Sequence, residues 1–496
     1  RDKLDAYLRR SWHVKDQAGF GAPPPYDAGP LVLDPNDPLP SARLFVAQRH
    51  NIDGVLTLRH QGGVFYAYAE DASAYYERDE PAVRSGVYGF LEPVKRPSKQ
   101  ADALLPFQPT QSKVNNVLDA LRAVCNLPVA FAAPNWIADH PGFNPLDMLA
   151  CRNGLLHIPS RTLHASTPNF FTLNGIDFDY APAAPSPAAW LAFLNQLWPD
   201  DDESRETLQE IFGYALTPDT RFQKILMLIG PKRSGKGVTG RVLRRLVGDR
   251  NTCSPTLASF GLDFGKQVLV GKSLAVISDA RLSGRTDMAS VAETLLSISG
   301  EDPQTIPRKF LPDWNGKLAV RFLILTNELP RIGDASGALA SRFVVLPLTT
   351  SFFGREVLDL FDKLVVELPG ILNWALEGRD RLYARGHFRQ PTSGGALVEA
   401  LDELGSPEKA FLRERCQVKA GTYVTKDALF AAWRVWCDKN GRDNPGTTHT
   451  FGRNLRAALP AGVVDKRSGG RGRQERVWDG LSLVADGGEQ EALCDF

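Results

Sequence analysis

LMLIGPKRSGKGVTGRVLRRLVG, residues 226–248, is an apolar run, then a loop of glycines and cations, then a stretch with helical spacing and a basic face. A strand that feeds a glycine turn and a helix is the local pattern of an α/β fold, and this turn has the G-x4-G-K spacing of a phosphate-binding loop. The spacing alone is weak, because a chain of this composition produces it by chance roughly 0.13 times. Its surroundings add weight. Lys232, Arg233 and Lys236 bring positive charge, and backbone amides at a helix N-terminus point at anions. Gly230, Pro231, Lys232, Arg233, Ser234, Gly235, Lys236 and Gly237 are therefore the candidate nucleotide-binding loop, with Lys236 reaching the terminal phosphates of ATP. Gly237 stands where a Ser or Thr hydroxyl normally binds Mg²⁺, and Thr239 lies ~200° further round the helix. Mg²⁺ keeps several waters and accepts carboxylates, so the loss of one oxygen is tolerable.

Outward from the loop, SLAVIS (273–278), RFLILT (321–326) and RFVVLPL (from Arg342) are further apolar runs. Such runs read as strands buried on both faces, as a helix-covered sheet requires. Counting the strand before the loop as the first, the second strand ends in SDAR, which puts Asp279 near the phosphates, where it would serve Mg²⁺ or orient water; the competing reading is a helix-cap or turn Asp. The third ends in LTNELP, and Asn327 is placed to touch the γ-phosphate or the attacking water, unless it only forms the turn. In SGALASRF, Arg342 is a candidate arginine finger for a neighbouring subunit's ATP, against a surface cation that opens a strand.

Residues 1–40 read as a tail and a proline-rich linker, and residues 41–199 as an α+β domain. In the latter GVLTLRHQGGVFYAYA alternates as a hairpin around Gly62 and Gly63, and KVNNVLDALRAVC has helical spacing. APAAPSPAAW marks its end. Residues 200–390 form the ATPase domain, a loop at HFRQPTSGG follows, and residues 400–485 give three helices and two short strands around a Gly/Arg loop, a winged-helix pattern. Residues 447–480 carry seven cations against three acids, a net +4. Arg453, Arg456, Lys466, Arg467, Arg471 and Arg473 are the candidate DNA contacts there, against a solvated or protein-docking face. Trp433 and Trp436 read as core.

The chain's 496 residues imply several domains, and 43% hydrophobic and 23% charged residues are ordinary globular values. The net charge of +1 makes local patches the informative quantity. Six cysteines with no CxxC pair argue against a zinc ribbon or a disulfide framework and point to a reducing, cytoplasmic setting. No apolar run reaches the ~20 residues of a membrane span. The sequence opens at Arg1, so it reads as a piece of something longer.

The four elements, in this order, resemble the superfamily 3 helicases. SISGEDPQTIPRKF (297–310) looks like that superfamily's extra motif, whose hairpin contacts DNA in a ring's channel. CRNGLLHIPSRTLHASTPNFF, LQEIFGYAL and LPGILNWALEGRDRL further resemble the phage and plasmid primase-helicases related to the poxvirus primase-helicase. The resemblance implies a P-loop, AAA+-like core in a homo-hexamer, driven by ATP and Mg²⁺ on single-stranded and forked DNA in a bacterial host cell. A primase domain or partner would lie upstream of Arg1. Arg308 and Lys309 would be the DNA-facing cations with Phe310 beside them; the alternative is a turn anchored by a core Phe. An ATP-gated initiator or loader, or a regulatory ATPase on the same core, is the other reading of the same motifs.

Overall fold

The computed structural model describes residues 30–98, 103–138, 142–278, 288–330, 332, 337–441, 445–460, 462–468 and 475–484. Among them no helix is long and apolar enough to cross a membrane.

The N-terminal part opens with α1 (Pro38–Arg49), which starts inside the stretch expected to be linker. Strands β1 (Leu58–Gln61), β2 (Val64–Ala69) and β3 (Ala74–Arg78) make an antiparallel sheet, and α2 (Glu80–Leu91) and α3 (Gln111–Val124) follow. Gly62 and Gly63 make the β1–β2 turn at φ 56° and 85°, where side chains are strained. Phe45, Leu58, Phe65, Phe90 and Leu118 fill the core between helices and sheet. A second antiparallel sheet holds β4 (Met148–Cys151), β5 (Gly154–His157) and β6 (Thr162–His164).

Helices α4 (Ala188–Leu197) and α5 (Asp202–Tyr214) lead to the central sheet. Its parts, in chain order, are β7 (Ile225–Ile229), α6 (Lys236–Val247), β8 (Thr252–Cys253), β9 (Leu274–Ser278), α7 (Met288–Ser299), the hairpin of β10 (Gln304–Arg308) and β11 (Leu311–Gly316), β12 (Arg321–Thr326), α8 (Ala338–Arg342) and β13 (Phe343–Pro347). The five sheet strands run parallel in the order β8-β9-β12-β7-β13. Continuous apolar strands are needed because both faces are covered. Leu226, Leu228, Leu323 and Leu346 face Leu243 and Leu246 of α6, whereas Met227, Ile324 and Val345 face Val291 and Leu295 of α7.

Two boundaries differ from the sequence expectation. The first core also holds Leu149, Leu156 and Tyr180 together with Trp190, so it runs straight across APAAPSPAAW rather than ending there. At the other end, α9 (Leu368–Arg385) is followed by α10 (Thr392–Gly405), a helix where a loop was expected from residue 387 to 395. Leu401 of α10 sits in the core beneath the sheet, and the Gln390 side-chain amide bonds both the N–H (3.0 Å) and the carbonyl (2.8 Å) of Val345 on edge strand β13. The central unit thus packs as far as Gly405.

The last unit contains α11 (Pro407–Arg415), β14 (Cys416–Thr425), α12 (Lys426–Lys439), α13 (Thr448–Ala458), β15 (Val464–Ser468) and β16 (Glu475–Leu483). Its antiparallel sheet has the order β14-β16-β15, and β14 is a strand the helix-and-hairpin reading lacked. Phe411, Trp433, Trp436 and Phe451 form its core, in agreement with the reading of both tryptophans.

One buried ion cluster joins α5 to α9. Glu210, 2% exposed, accepts from Arg381 Nε (2.9 Å) and from both terminal nitrogens of Arg385. Removing one member of such a group leaves a charge uncompensated, at a cost of about 3–5 kcal/mol. Glu210→Ala should therefore lower the first transition in urea unfolding by an amount near the lower end of that range, since Arg381 can reach water.

Candidate functional site

The loop after β7 lies at the carboxyl edge of the parallel sheet, and its backbone is shaped by close approach. A Cβ on Gly230 would meet the Leu348 carbonyl oxygen at 2.2 Å, so only glycine fits there. Gly235 caps α6 at φ 91°, with Leu197 and Phe193 filling the space a side chain would need. Arg233 is held at φ 60°. From outside, Ser351 Oγ donates to the Lys232 carbonyl (2.9 Å), Phe352 N–H donates to the Arg233 carbonyl (2.9 Å), and Glu356 pairs with Arg233. Residues 351–356 thus brace the loop. Nothing in the sequence marked them, because two of the three braces end on backbone atoms.

Lys236 curls back across this loop. Its Nζ donates to the carbonyls of Gly230 and Pro231, each at 2.7 Å, and to Ser234 Oγ at 3.1 Å. Burial holds its ammonium below the usual lysine range, and no carboxylate among the described residues pairs with it. A cation so placed, at a helix N-terminus whose first amides lack intrahelical partners, favours the arrival of an anion. Around Gly237 the space is open, and a methyl group there would have nothing within 4 Å. The Thr239 hydroxyl is buried and its proton is donated to the Gly235 carbonyl at 3.2 Å.

Asn327 is exposed and directly follows β12, whose last residue, Thr326, accepts a bond from the Gly230 N–H at 3.2 Å. The loop and Asn327 therefore share one edge of the sheet. Asp279, the expected metal or water ligand, lies outside the described residues. Arg342 lies at the other edge. Phe343 pairs with Ile225 and Pro347 with Ile229, so the length of a strand, ~17 Å, separates Arg342 from the loop of its own chain. Its guanidinium donates to Gln223 Oε1.

The hairpin β10–β11 projects from this core. Ile306 is fully buried at its base, and Phe310 at its tip has φ 63° and is 93% exposed, which excludes the core-anchor alternative for that ring. Lys309 is also exposed, with Nζ 5.3 Å from the centre of the Phe310 ring, and its backbone N–H donates to Gln267 Oε1. Arg308 is placed differently from the expectation of a free cation. Its Nε donates to the Pro312 carbonyl (2.9 Å) and its Nη2 to the Gly62 carbonyl (2.8 Å), which ties the hairpin to the β1–β2 turn of the N-terminal part.

In the last unit Phe451 and Leu455 turn inward, and Arg453 and Arg456 lie on exposed positions of α13. Arg456 and Lys426 both donate to Asp465 (2.8 and 2.6 Å) and hold its carboxyl below the usual range, while Lys466 pairs with Asp479. Arg467 stands directly across the β-ladder from Arg476, a pairing of like charges that disfavours the hairpin unless an anion sits there. Arg471 and Arg473 lie outside the described residues.

Comparison with known proteins adds domain content. Residues 45–199 match the family described as D5 N terminal like, and residues 228–342 match a family of unknown function, DUF5906. These are domains typical of phage and plasmid primase-helicase proteins. An uncharacterized mitochondrial protein of Marchantia polymorpha, ymf21, is 28% identical over 109 residues, which is 22% of this chain and 61% of that protein's length. Among solved structures, the A form apo structure of the NrS-1 C terminal region is similar at a TM-score of 0.46 and 12% identity, covering 89% of this chain and 99% of that one. A further apo structure of the same region has a TM-score of 0.45 at 12% identity, with the same coverage.

Proposed function

We propose that this protein is an ATP-dependent, ring-forming DNA translocase and helicase in the replication of a phage or mobile element, the helicase part of a primase-helicase. The observation that carries the reading is Lys236, a largely buried ammonium that no described carboxylate compensates, seated in a glycine loop beside Asn327. The two domain matches support it. In this reading residues 230–237 bind the ATP phosphates, Asn327 orients water or senses the γ-phosphate, and Arg342 serves the ATP of a neighbouring copy in a homo-hexamer. Mg²⁺, which when bound offsets phosphate charge, would rest on Asp279 and water, because Gly237 has no hydroxyl and that of Thr239 is buried on the Gly235 carbonyl. Lys309 and Phe310 hold one DNA strand, the cation on phosphate and the ring on a base. The last unit, read as a winged helix, grips duplex.

The deciding experiment is ATP hydrolysis with and without single-stranded DNA, joined to strand displacement on a fork. Stimulation without displacement would move the protein to the initiator or loader class, and no hydrolysis at all would remove the nucleotide reading.

A truncation tests the division of labour. The cut belongs after Ser406, since α10 packs on the central sheet and the core of the last unit begins at Ala410. With Arg456 and Lys466 already ion-paired, Arg453, Arg467 and Arg476 are, among the described residues of the basic face, the cations left to meet phosphate. These three contacts alone lower the slope of log affinity against log salt by about 2.7 on duplex. The truncated protein should hydrolyse ATP and respond to single strands, with weaker and less salt-sensitive duplex binding. An unchanged slope would assign the basic face to another partner.

A further inference from the structure

The hairpin and Arg342 are far apart in sequence yet meet on one short segment between α5 and β7, residues 220–224. Gln223, at φ 53°, uses both ends of its amide: Oε1 accepts from Arg342 Nη1, and Nε2 donates to the Gly300 carbonyl at 3.1 Å. The reverse orientation of the amide would aim its NH₂ at a guanidinium, which has no acceptor, so this is the arrangement that satisfies both partners. Gly300 follows α7 and opens the hairpin arm. The next residue, Glu301, accepts from Thr220 Oγ1 and pairs with Lys317 Nζ at 2.6 Å, and Lys317 directly follows β11. Both roots of the hairpin are thereby held. Lys224 Nζ donates to the Ser341 carbonyl at 2.5 Å, on the last turn of α8 that carries Arg342. Burial, and then the nearby Arg342 charge, hold the Lys224 ammonium low, so the two cations repel.

We propose that Gln223 is a positioning residue that couples the hairpin to Arg342, its single amide linking the Gly300 carbonyl at the hairpin root to the guanidinium. A planar amide has fixed reach. When the hairpin shifts Gly300, one of the two bonds must lengthen, and Lys224 drives the released guanidinium outward from its own chain. The inference rests on the function proposed above, in which the hairpin holds a strand and Arg342 serves a neighbour's ATP.

The test uses the full chain, with ATP turnover measured with and without a poly-dT strand. The wild type is measured first: absence of stimulation there would overturn the proposed function itself, before any variant is made. Gln223→Ala frees Arg342 whether or not a strand is bound, so it should lower the ratio of strand-stimulated to unstimulated kcat about tenfold, the order of coupling between distant sites, with KM for ATP little changed. Gln223→Glu keeps an acceptor for Arg342 but cannot donate to Gly300. With the guanidinium held by a carboxylate and no link to the hairpin, it should turn over more slowly than the Ala variant without DNA and show no stimulation, a split that a packing defect would not give. In an Arg342→Ala background, Gln223→Ala should add nothing. Wild-type stimulation ratios in both Gln223 variants, or effects of Gln223→Ala and Arg342→Ala that multiply, would overturn the coupling. Thermal melts check folding, and the near-isosteric Glu variant carries the test if the Ala variant unfolds.

Discussion

Lys236→Ala abolishes ATP hydrolysis while leaving the fold in place: that is the outcome expected of a lysine whose bonds go to the Gly230 and Pro231 carbonyls and Ser234 Oγ. Helix α6 is anchored elsewhere, by Val242, Leu243 and Leu246 against the sheet, so truncation at its first turn removes charge and not core. Losing one preorganised group that meets developing charge costs roughly 10²–10³ in rate, and a lysine that also binds the ground state should cost at least that. Phosphate release and near-UV circular dichroism, read together, separate lost chemistry from lost structure. Turnover at the wild-type rate would sink the nucleotide-site assignment.

The second large effect belongs to Arg342→Ala. With the finger at the opposite edge of the sheet from its own loop, ATP binding should be nearly normal and hydrolysis slower by about 10³–10⁵, the range for arginine fingers. Mixed with Lys236→Ala chains, the variant should regain part of its activity, because each copy supplies what the other lacks. A mixed ring with no rescue would argue against action between copies. An analogue-binding measurement on the single variant guards against a trivial loss of affinity.

How much of this was readable in the sequence depends on whether the signal was local. The strands at 225–229, 274–278 and 321–326 are built on unbroken apolar runs, ILMLI, LAVI and FLIL, and burial on both faces is what makes them so. The Gly62–Gly63 turn and the helices after residue 406 also followed from spacing and turn residues. Helix α10 did not, because it begins Thr-Ser-Gly-Gly, poor helix formers that packing on the sheet overrides: a Cβ on Gly394 would stand 2.2 Å from the Val345 carbonyl. The packing of Leu149, Leu156 and Tyr180 with Trp190 across 181–190 is of the same kind. For the site, the glycine loop was legible as a motif, whereas the attachment of Arg308 to Gly62 spans 246 residues and ends on a backbone carbonyl, which no local pattern reports. The same holds for Gln223, an ordinary polar residue before a strand.

That attachment has a mechanical side. Two antiparallel strands alone are marginally stable in water, and a free ribbon bends under load instead of transmitting it. Here the ribbon is clamped at its base by buried Ile306 and stayed near its tip by Arg308 on Gly62, leaving little more than Lys309 and Phe310 as the cantilever. Tension applied at the Phe310 ring is therefore shared with the β1–β2 sheet, and the N-terminal part acts as the abutment that makes the tip stiff.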